Sequence, residues 1–324
     1  MLLRAGMPCI RAAALIALLT LISGCAPRSQ PASPVPLEIP VAPAQRTTEA
    51  QAAGNAAPGG VVLVWGSVGD GAPRTWHLAE GGAVIREEPG IVVATRRGEW
   101  RWETREEQVA TSACEMGLGG MREPGEGTAT RAALVLRGKG ERQEVLSPPD
   151  GDESNEIHHT AALIGSVGPY LFIEERTYTD LCGAHGFEGA AFVAWDAERR
   201  AAVDLLAEVR GVTGLQSAAE ALLDDGEDGA EATGQERDAP ELVQIAPAYD
   251  ERGALRLTAQ LARSACYACS DGAWSSYSRS AVVPVERTPA RLAAWASPPP
   301  DVRAFLERTP GVRLGGWSQA GQEE

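Results

Sequence analysis

The stretch "TAALIGSVGPYLFIEERTYTDLCGAHGFEGAAFVAWD", residues 160–196, carries the strongest fold signal in this 324-residue sequence. Two runs rich in Ile, Leu, Tyr and Phe flank Gly168-Pro169, a dipeptide typical of a turn. A third apolar run, "GAAFVAWD", follows the glycine-rich segment "CGAHG". The pattern predicts three successive β-strands, because β-branched and aromatic side chains suit a pleated, half-buried surface.

Similar short apolar runs, separated by Gly and Pro, extend on both sides of this stretch. They predict an α+β fold that is predominantly antiparallel β, with helices near residues 214–225 and 298–311. In the first helix the apolar residues at i, i+3, i+4 and i+7 are Leu215, Ala218, Ala219 and Leu222, and Asp301 can cap the second helix. In "EWRWE", Trp100 and Trp102 are two residues apart, so we expect them to share one face of a strand and to lie in the core. The alternative is a β-propeller-like all-β fold, although no repeat of about 40–50 residues is visible.

Composition divides the chain into five parts. Turn residues and acids in "SPPDGDESNE" (147–156) suggest a boundary between two lobes. The predicted parts are a signal peptide (1–24), a lipidated N-terminus with a Pro/Ala-rich tether (25–60), a β-rich lobe (61–150), a β-rich lobe with short helices (151–317) and a flexible tail (318–324).

The N-terminal segment has the features of a secretory signal. Arg4 and Arg11 accompany a mainly apolar run over residues 12–22, which is shorter than the roughly 20 residues of a membrane-spanning helix. The run ends in "LISGC" (21–25), an aliphatic residue, then two small residues before a cysteine, and this resembles the lipobox of bacterial lipoproteins.

This resemblance implies cleavage between Gly24 and Cys25 and attachment of a diacylglycerol and palmitate-type chains at Cys25. Several acyl chains hold a protein stably on a membrane, whereas one chain does so only marginally. The residue after the cysteine is Ala26 and not the aspartate associated with inner-membrane retention. We therefore expect a cell-envelope protein anchored through lipid, in the outer membrane.

The net charge of the chain restricts the classes of molecule that it is expected to bind. The sequence has 29 Lys and Arg against 44 Asp and Glu, a formal net charge of −15. Binding to nucleic acid requires clustered basic residues, so we expect no nucleic-acid partner. The predicted partners are the membrane, through the lipid on Cys25, and an envelope protein or glycan.

The other cysteines suggest disulfides. Cys114, Cys182, Cys266 and Cys269 form an even set, and the cell envelope permits disulfide formation. Residues i and i+3 of an extended strand are too far apart to bond, so Cys266 and Cys269 pair with each other only if "CYAC" is a turn. We favour Cys266–Cys269 with Cys114–Cys182, while crossed pairs stay open.

The C-x-x-C spacing of Cys266 and Cys269 also suits a redox dithiol or half of a zinc site. A thioredoxin-type dithiol opens a helix, whereas "SDG" follows Cys269 here and a strand resumes. No second C-x-x-C or H-x-x-x-H supplies the other zinc ligands. We predict no metal and no cofactor.

The run "SVGPYLFIEERTYTDLCGAHGFEGAAFVAWDAERRAAVDLL" (166–206) resembles the DUF3298 group of extracytoplasmic domains. On that resemblance Gly183, Ala184 and His185 match the family's turn and are candidate ligand-binding residues, although Cys182 stands where a glycine is usual. The resemblance implies an α+β envelope domain that binds a protein or a glycan.

No catalytic constellation stands out in the sequence, and no G-x-S-x-G turn accompanies His185. We therefore expect a non-catalytic binding or structural ectodomain rather than an enzyme. The alternatives are an envelope thiol-disulfide oxidoreductase that uses Cys266 and Cys269, and an envelope hydrolase with a site near His185.

Overall fold

The computed structural model describes residues 61–112, 114–115, 122–123, 125–147, 155–180, 185–224 and 238–320. The strands are β1 (Val62–Val68), β2 (Arg74–Leu78), β3 (Val84–Pro89), β4 (Val92–Thr95), β5 (Gly98–Gln108), β6 (Cys114–Glu115), β7 (Arg122–Glu123), β8 (Glu126–Leu136), β9 (Arg142–Leu146), β10 (Glu156–Val167), β11 (Tyr170–Asp180), β12 (Phe187–Asp196), β13 (Ala201–Val203), β14 (Glu241–Tyr249), β15 (Leu255–Ser264), β16 (Ser278–Val285) and β17 (Val312–Gln319). The α-helices are α1 (Leu205–Arg210), α2 (Leu215–Asp224) and α3 (Pro300–Arg308).

These strands form three main sheets and a short ribbon. An eight-stranded sheet has the order β13-β12-β11-β10-β8-β5-β4, with β9 added beside β8. A four-stranded sheet has the order β17-β1-β2-β3, a three-stranded sheet the order β14-β15-β16, and β6 pairs with β7. Pairing is antiparallel apart from β8 and β10. The predicted α+β fold with mainly antiparallel β is confirmed, and the propeller alternative is wrong, since the described strands form neither a propeller nor a closed barrel.

The predicted strands of the opening stretch are β10, β11 and β12. Gly168 and Pro169 alone connect β10 to β11, and Val167 pairs with Tyr170 across this turn. Gly168 has a φ of +56°, and a Cβ there would lie 2.2 Å from the Trp295 ring. Glycine is therefore required both by the backbone conformation and by the packing.

The largest core cluster lies between the sheets and the helices. It includes Trp76, Phe172, Trp295, Phe305 and Trp317, and all five are at most 5% exposed. Each sheet contributes its apolar face, and burial of these large side chains provides the main driving force for folding. The core is thus formed between layers of secondary structure that come from distant parts of the sequence.

A second cluster lies within the eight-stranded sheet and includes Trp100, which is fully buried, with Trp102 packed against it. Trp100 is therefore a core residue, as the pattern predicts, whereas Trp102 lies partly buried against the same cluster. The suggested lobe boundary at 147–156 falls between β9 and β10, and both of these strands belong to the eight-stranded sheet.

The helices differ in detail from their predicted patterns. In α2 the buried residues are Leu215, Ala219 and Leu223, whereas Leu222, which the i+7 pattern placed in the core, is 54% exposed. In α3 the N-cap is Pro299, and the carboxylate of Asp301 accepts a hydrogen bond from the Gly81 amide at 2.7 Å instead of capping the helix. This contact fixes the turn between β2 and β3 on the helix.

Candidate functional site

Four exposed rings meet at one end of the eight-stranded sheet. We call His185, Phe187, Tyr267 and Tyr277 the aromatic patch. His185 stacks on Tyr267 with 4.1 Å between ring centroids, and Phe187 stacks on Tyr277 at 6.0 Å. Tyr267 and Tyr277 are 5.7 Å apart and tilted by 58°. Three of the rings are 40–48% exposed, which is unusual for such large apolar groups in mutual contact.

Two separate segments supply these rings. Phe187 begins β12 and His185 lies two residues before it, and the tyrosines lie in the loop between β15 and β16. Hydrogen bonds fasten that loop to the sheet: the Ser276 amide donates to the Glu188 carbonyl and the Glu188 amide donates to the Ser276 hydroxyl, both at 2.8 Å. Arg176 also donates to the Ala273 carbonyl at 3.0 Å. The loop that carries the two tyrosines is therefore held against the sheet before any ligand binds.

A disulfide shapes the loop. Cys266 and Cys269 are bonded, with their Cα atoms 4.9 Å apart, and Tyr267 lies between them in a single 3₁₀ turn. The Cys269 amide donates to the Cys266 carbonyl at 2.9 Å. The "CYAC" segment is thus a turn, the condition for pairing these two cysteines, and it presents the Tyr267 ring to His185.

Of the second predicted disulfide, Cys114–Cys182, the structure describes only one residue. Cys114 begins β6, where it lies opposite Glu123 of β7. Cys182, like the lipidation and cleavage positions Cys25 and Gly24, lies outside the described residues. The Cys114–Cys182 disulfide therefore stays a prediction.

Tyr178 of β11 lies against Gly186, which stands between His185 and Phe187 in the sequence. A Cβ at Gly186 would lie 2.3 Å from the Tyr178 hydroxyl and 2.4 Å from its ring, so the ring rests directly on the glycine backbone. Burial raises the pKa of the Tyr178 phenol, and the charges of Glu156 and Asp180 raise it further. The phenol therefore stays protonated at neutral pH and can donate as well as accept a hydrogen bond.

A row of polar side chains continues from Tyr178 across the sheet. His158 lies opposite Tyr178 on one side and opposite Thr128 on the other, with ring centroids of His158 and Tyr178 6.3 Å apart. The Thr128 hydroxyl is 3.0 Å from His158 Nδ1, and a Glu156 oxygen is 2.9 Å from His158 Nε2. No pattern in the sequence marks Thr128, Tyr178, Tyr267 or Tyr277 as site residues, since only the strand register and the docking of the loop place them.

His185 itself is placed in a stack of rings. Its described contacts are Tyr267, Tyr277 and the Gly186 carbonyl, which lies 3.3 Å from Nδ1. A general base needs a neighbouring group that orients it, usually a carboxylate, and none is among these contacts. Gly183 and Ala184, the other two candidate ligand-binding residues, lie outside the described residues.

A buried ion cluster lies elsewhere, between the four-stranded and eight-stranded sheets. Glu88 is 5% exposed and accepts hydrogen bonds from His77 Nε2 at 2.7 Å, Arg137 at 2.5 Å and Arg101 at 2.8 Å. His77, Glu88 and Glu99 offer ligand atoms within 4.8 Å of one another, but Arg137 already bridges the two carboxylates. A cation would have to compete with this guanidinium, so we interpret the cluster as a structural ion-pair network.

A cavity of about 1090 Å³ lies beside the link between α1 and α2 and the facing ends of β14 and β15. Arg263 lines it and is buried, and its guanidinium donates to the Asp224 carboxylate at 3.0 Å and to the Leu223 carbonyl at 3.4 Å. A cation near the last carbonyls of a helix is favourable. Arg263 therefore fixes the end of α2 to β15.

Comparison with known proteins gives one named similarity. No family model and no curated protein matches the sequence. Among solved structures, the chain is similar to a DUF3298 family protein from Pseudomonas aeruginosa, with a TM-score of 0.28, 11% identity, and coverage of 62% of this chain and 94% of that one. Among the described helices, none has the length and apolar character needed to cross a membrane.

Proposed function

We propose that this protein is a lipid-anchored lipoprotein of the cell envelope, in the outer membrane, whose folded part binds an envelope glycan or protein without catalysis. The aromatic patch carries the binding proposal. The lipobox resemblance of residues 21–25 carries the proposed anchor.

The patch suits recognition for two physical reasons. Tyrosine and histidine rings combine a large apolar face with a polar edge, which is why such residues are enriched in binding surfaces. The disulfide turn and the Ser276–Glu188 hydrogen bonds already hold the backbone that carries the rings, so binding would lose little backbone entropy. An exposed aromatic cluster on a loop held in this way contributes little to the core, and a bound ligand would account for it.

The anchor is tested with full-length protein produced in a Gram-negative host. We expect the mature N-terminal peptide to begin at Cys25 and to carry the mass of attached acyl chains, and we expect the protein to sediment with outer membranes. The matched variant Cys25→Ser should lose both the acyl mass and the membrane association. Unmodified wild-type protein would contradict the proposal.

Binding is tested by co-sedimentation of the full-length protein, solubilised in detergent, with purified cell-envelope material. The double variant Tyr267→Ala/Tyr277→Ala should lose most of the retention. Ile85→Ala is the control, since Ile85 is 61% exposed on β3 and belongs to a different sheet. Equal retention of all three proteins would refute a role for the aromatic patch.

A second candidate function is thiol-disulfide exchange, because both Cys266 and Cys269 are exposed. The 3₁₀ turn between them covers Tyr267–Cys269, with Cys266 as its N-cap, and no α-helix begins there to lower a thiol pKa. Titration of the Cys266–Cys269 disulfide in glutathione buffers distinguishes a catalytic from a structural role. A catalytic disulfide should have a reduction potential of roughly −120 to −270 mV, and a structural disulfide should have one below about −300 mV.

A further inference from the structure

We infer that the Cys266–Cys269 disulfide is a redox switch for the half of the aromatic patch that contains Tyr267. When a dithiol opens the bridge, Tyr267 is released from its stack on His185, while the rest of the loop stays docked on the sheet. This inference rests on the proposed binding function and adds the regulation of the same site.

The bridge lies where a reductant can approach it. Cys266, Cys269 and the two residues between them are all exposed. Thiol-disulfide exchange requires a thiolate to reach one of the two sulfurs, so access is a condition for the reaction. The exposed turn meets this condition.

The bridge contributes little to the stability of the whole fold. It joins two cysteines with a sequence separation of only 3. The stabilisation that a disulfide provides increases with the length of the loop that it closes, so a bridge this short stabilises the folded chain less than one that closes a long loop. Opening it should therefore have a local effect and leave the fold intact.

Tyr267 depends on the bridge for its position. The Cys269 amide donates to the Cys266 carbonyl at 2.9 Å, and the Ser270 amide donates to the Tyr267 carbonyl at 3.4 Å. Both hydrogen bonds lie within the turn, and neither reaches the sheet. A single turn is only weakly stable by itself, because forming it fixes several backbone dihedrals for few hydrogen bonds. Without the bridge, the Tyr267 ring should therefore spend less time on His185, where the ring centroids are now 4.1 Å apart.

Tyr277 has anchors that do not involve the bridge. Its neighbour Ser276 forms two backbone-mediated hydrogen bonds with Glu188, both at 2.8 Å. Asp271 fastens the base of the loop, since its carboxylate accepts a hydrogen bond from the Ser280 amide at 2.7 Å. Reduction should leave these contacts in place, and with them the stack that Tyr277 forms in the other half of the aromatic patch.

The exchange conserves electrons and protons. One thiolate of the dithiol attacks a sulfur of the bridge and forms a mixed disulfide, and the other cysteine leaves as a thiolate that takes up a proton. The second thiol of the reductant, as its thiolate, then displaces the remaining cysteine. The protein thus gains two electrons and two protons as a pair of thiols, and the reductant leaves as a disulfide. The reverse exchange closes the bridge again.

Limited proteolysis with chymotrypsin tests the structural step without a ligand, since this protease cleaves after exposed, mobile tyrosines. The full-length, detergent-solubilised protein is compared before and after treatment with dithiothreitol, and alkylation followed by mass spectrometry shows whether Cys266 and Cys269 are reduced. We expect cleavage after Tyr267 to accelerate on reduction and cleavage after Tyr277 to stay unchanged. The matched variant Cys266→Ser/Cys269→Ser should behave like reduced wild type and should not respond to dithiothreitol, which separates this bridge from any other cysteine pair.

Co-sedimentation with purified envelope material tests the regulatory step. Immobilising a ring that has become mobile costs binding free energy, so we expect reduction to weaken retention of wild type about two- to tenfold. In Tyr267→Ala, reduction should change retention no further, because the released ring is already absent. Tyr277→Ala should keep its response to reduction.

A bridge that dithiothreitol leaves closed in the folded protein would overturn the inference, as would equal cleavage after Tyr267 in both redox states. Equal retention of oxidised and reduced wild type would also overturn it. In that case the proposed binding function stands if Tyr267→Ala/Tyr277→Ala still loses retention. If this double variant binds like wild type, the proposed binding function fails as well.

Discussion

Substitution of Glu88 by Gln tests whether the buried ion cluster holds the two sheets together. Glu88 lies on β3 of the four-stranded sheet, while Arg101 and Arg137 come from β5 and from the turn after β8, on the eight-stranded sheet. Glutamine keeps the volume and one acceptor oxygen but removes the charge. Two guanidinium groups and His77 then face an uncharged amide.

The magnitude follows from the burial of the partners. Removing one member of a buried ion pair usually costs about 3–5 kcal/mol of unfolding free energy. Arg101 is 36% exposed and Arg137 24%, so water solvates both in the variant and the cost falls toward the lower end, about 3 kcal/mol. At roughly 2–4 °C per kcal/mol for a large domain, the midpoint of thermal unfolding should fall by about 6–12 °C.

Urea unfolding followed by tryptophan fluorescence measures the effect, with Glu87→Gln as the matched control. Glu87 is the preceding residue on β3, 42% exposed and paired only with Arg74 among its described contacts. Its substitution should cost less than about 1 kcal/mol. Equal losses for Glu88→Gln and Glu87→Gln would refute the argument that burial makes the cluster important.

The same variant predicts a pH dependence. Burial alone would raise the pKa of Glu88, but the hydrogen bond from His77 and the charges of Arg137 and Arg86 outweigh burial and lower it below the ordinary value of 4.5. The ionised carboxylate therefore stabilises the fold above pH 4.5, and this stability is lost as the pH falls through the lowered pKa. We expect the stability gap between wild type and Glu88→Gln to narrow in that acidic range, and a constant gap would contradict this.

Three further tests, with four substitutions, concern core packing, a turn and a helix cap. Leu223→Ala should lower the free energy of unfolding in urea by about 2–5 kcal/mol, because Leu223 is 2% exposed. Leu222→Ala, at a 54% exposed position, should change it by less than about 0.5 kcal/mol. The reverse order would support the predicted helical pattern, in which Leu222 is the buried residue. Gly168→Ala should cost more than about 2 kcal/mol, since its φ is +56° and a Cβ would collide with Trp295, and a neutral result would show that the turn relaxes freely. Asp204→Ala should lower the free energy of unfolding by about 1 kcal/mol, because it removes the N-cap of α1. Urea unfolding followed by circular dichroism measures this loss, and an unchanged stability would show that the cap contributes nothing.

Local patterns predicted most elements of the fold because they depend on neighbours in sequence. The turn at Gly168-Pro169 and the strands around it follow from residue types that restrict the backbone directly. The prediction of the buried face of α2 was less accurate. Leu222 and Leu223 are equally apolar, and only the surface against which the helix packs decides which of them is buried. A helical pattern of small apolar residues is compatible with more than one buried stripe.

The sequence by itself determined the signal-like N-terminus, the acidic charge, the mainly antiparallel β class and the requirement that Cys266 and Cys269 bond only within a turn. Tertiary structure alone decided that Tyr267 and Tyr277 meet His185 and Phe187, nearly ninety residues away along the chain. The physical reason is that strand register and loop docking are set by the whole sheet, through hydrogen bonds such as Ser276 to Glu188, and leave no local signature in either segment.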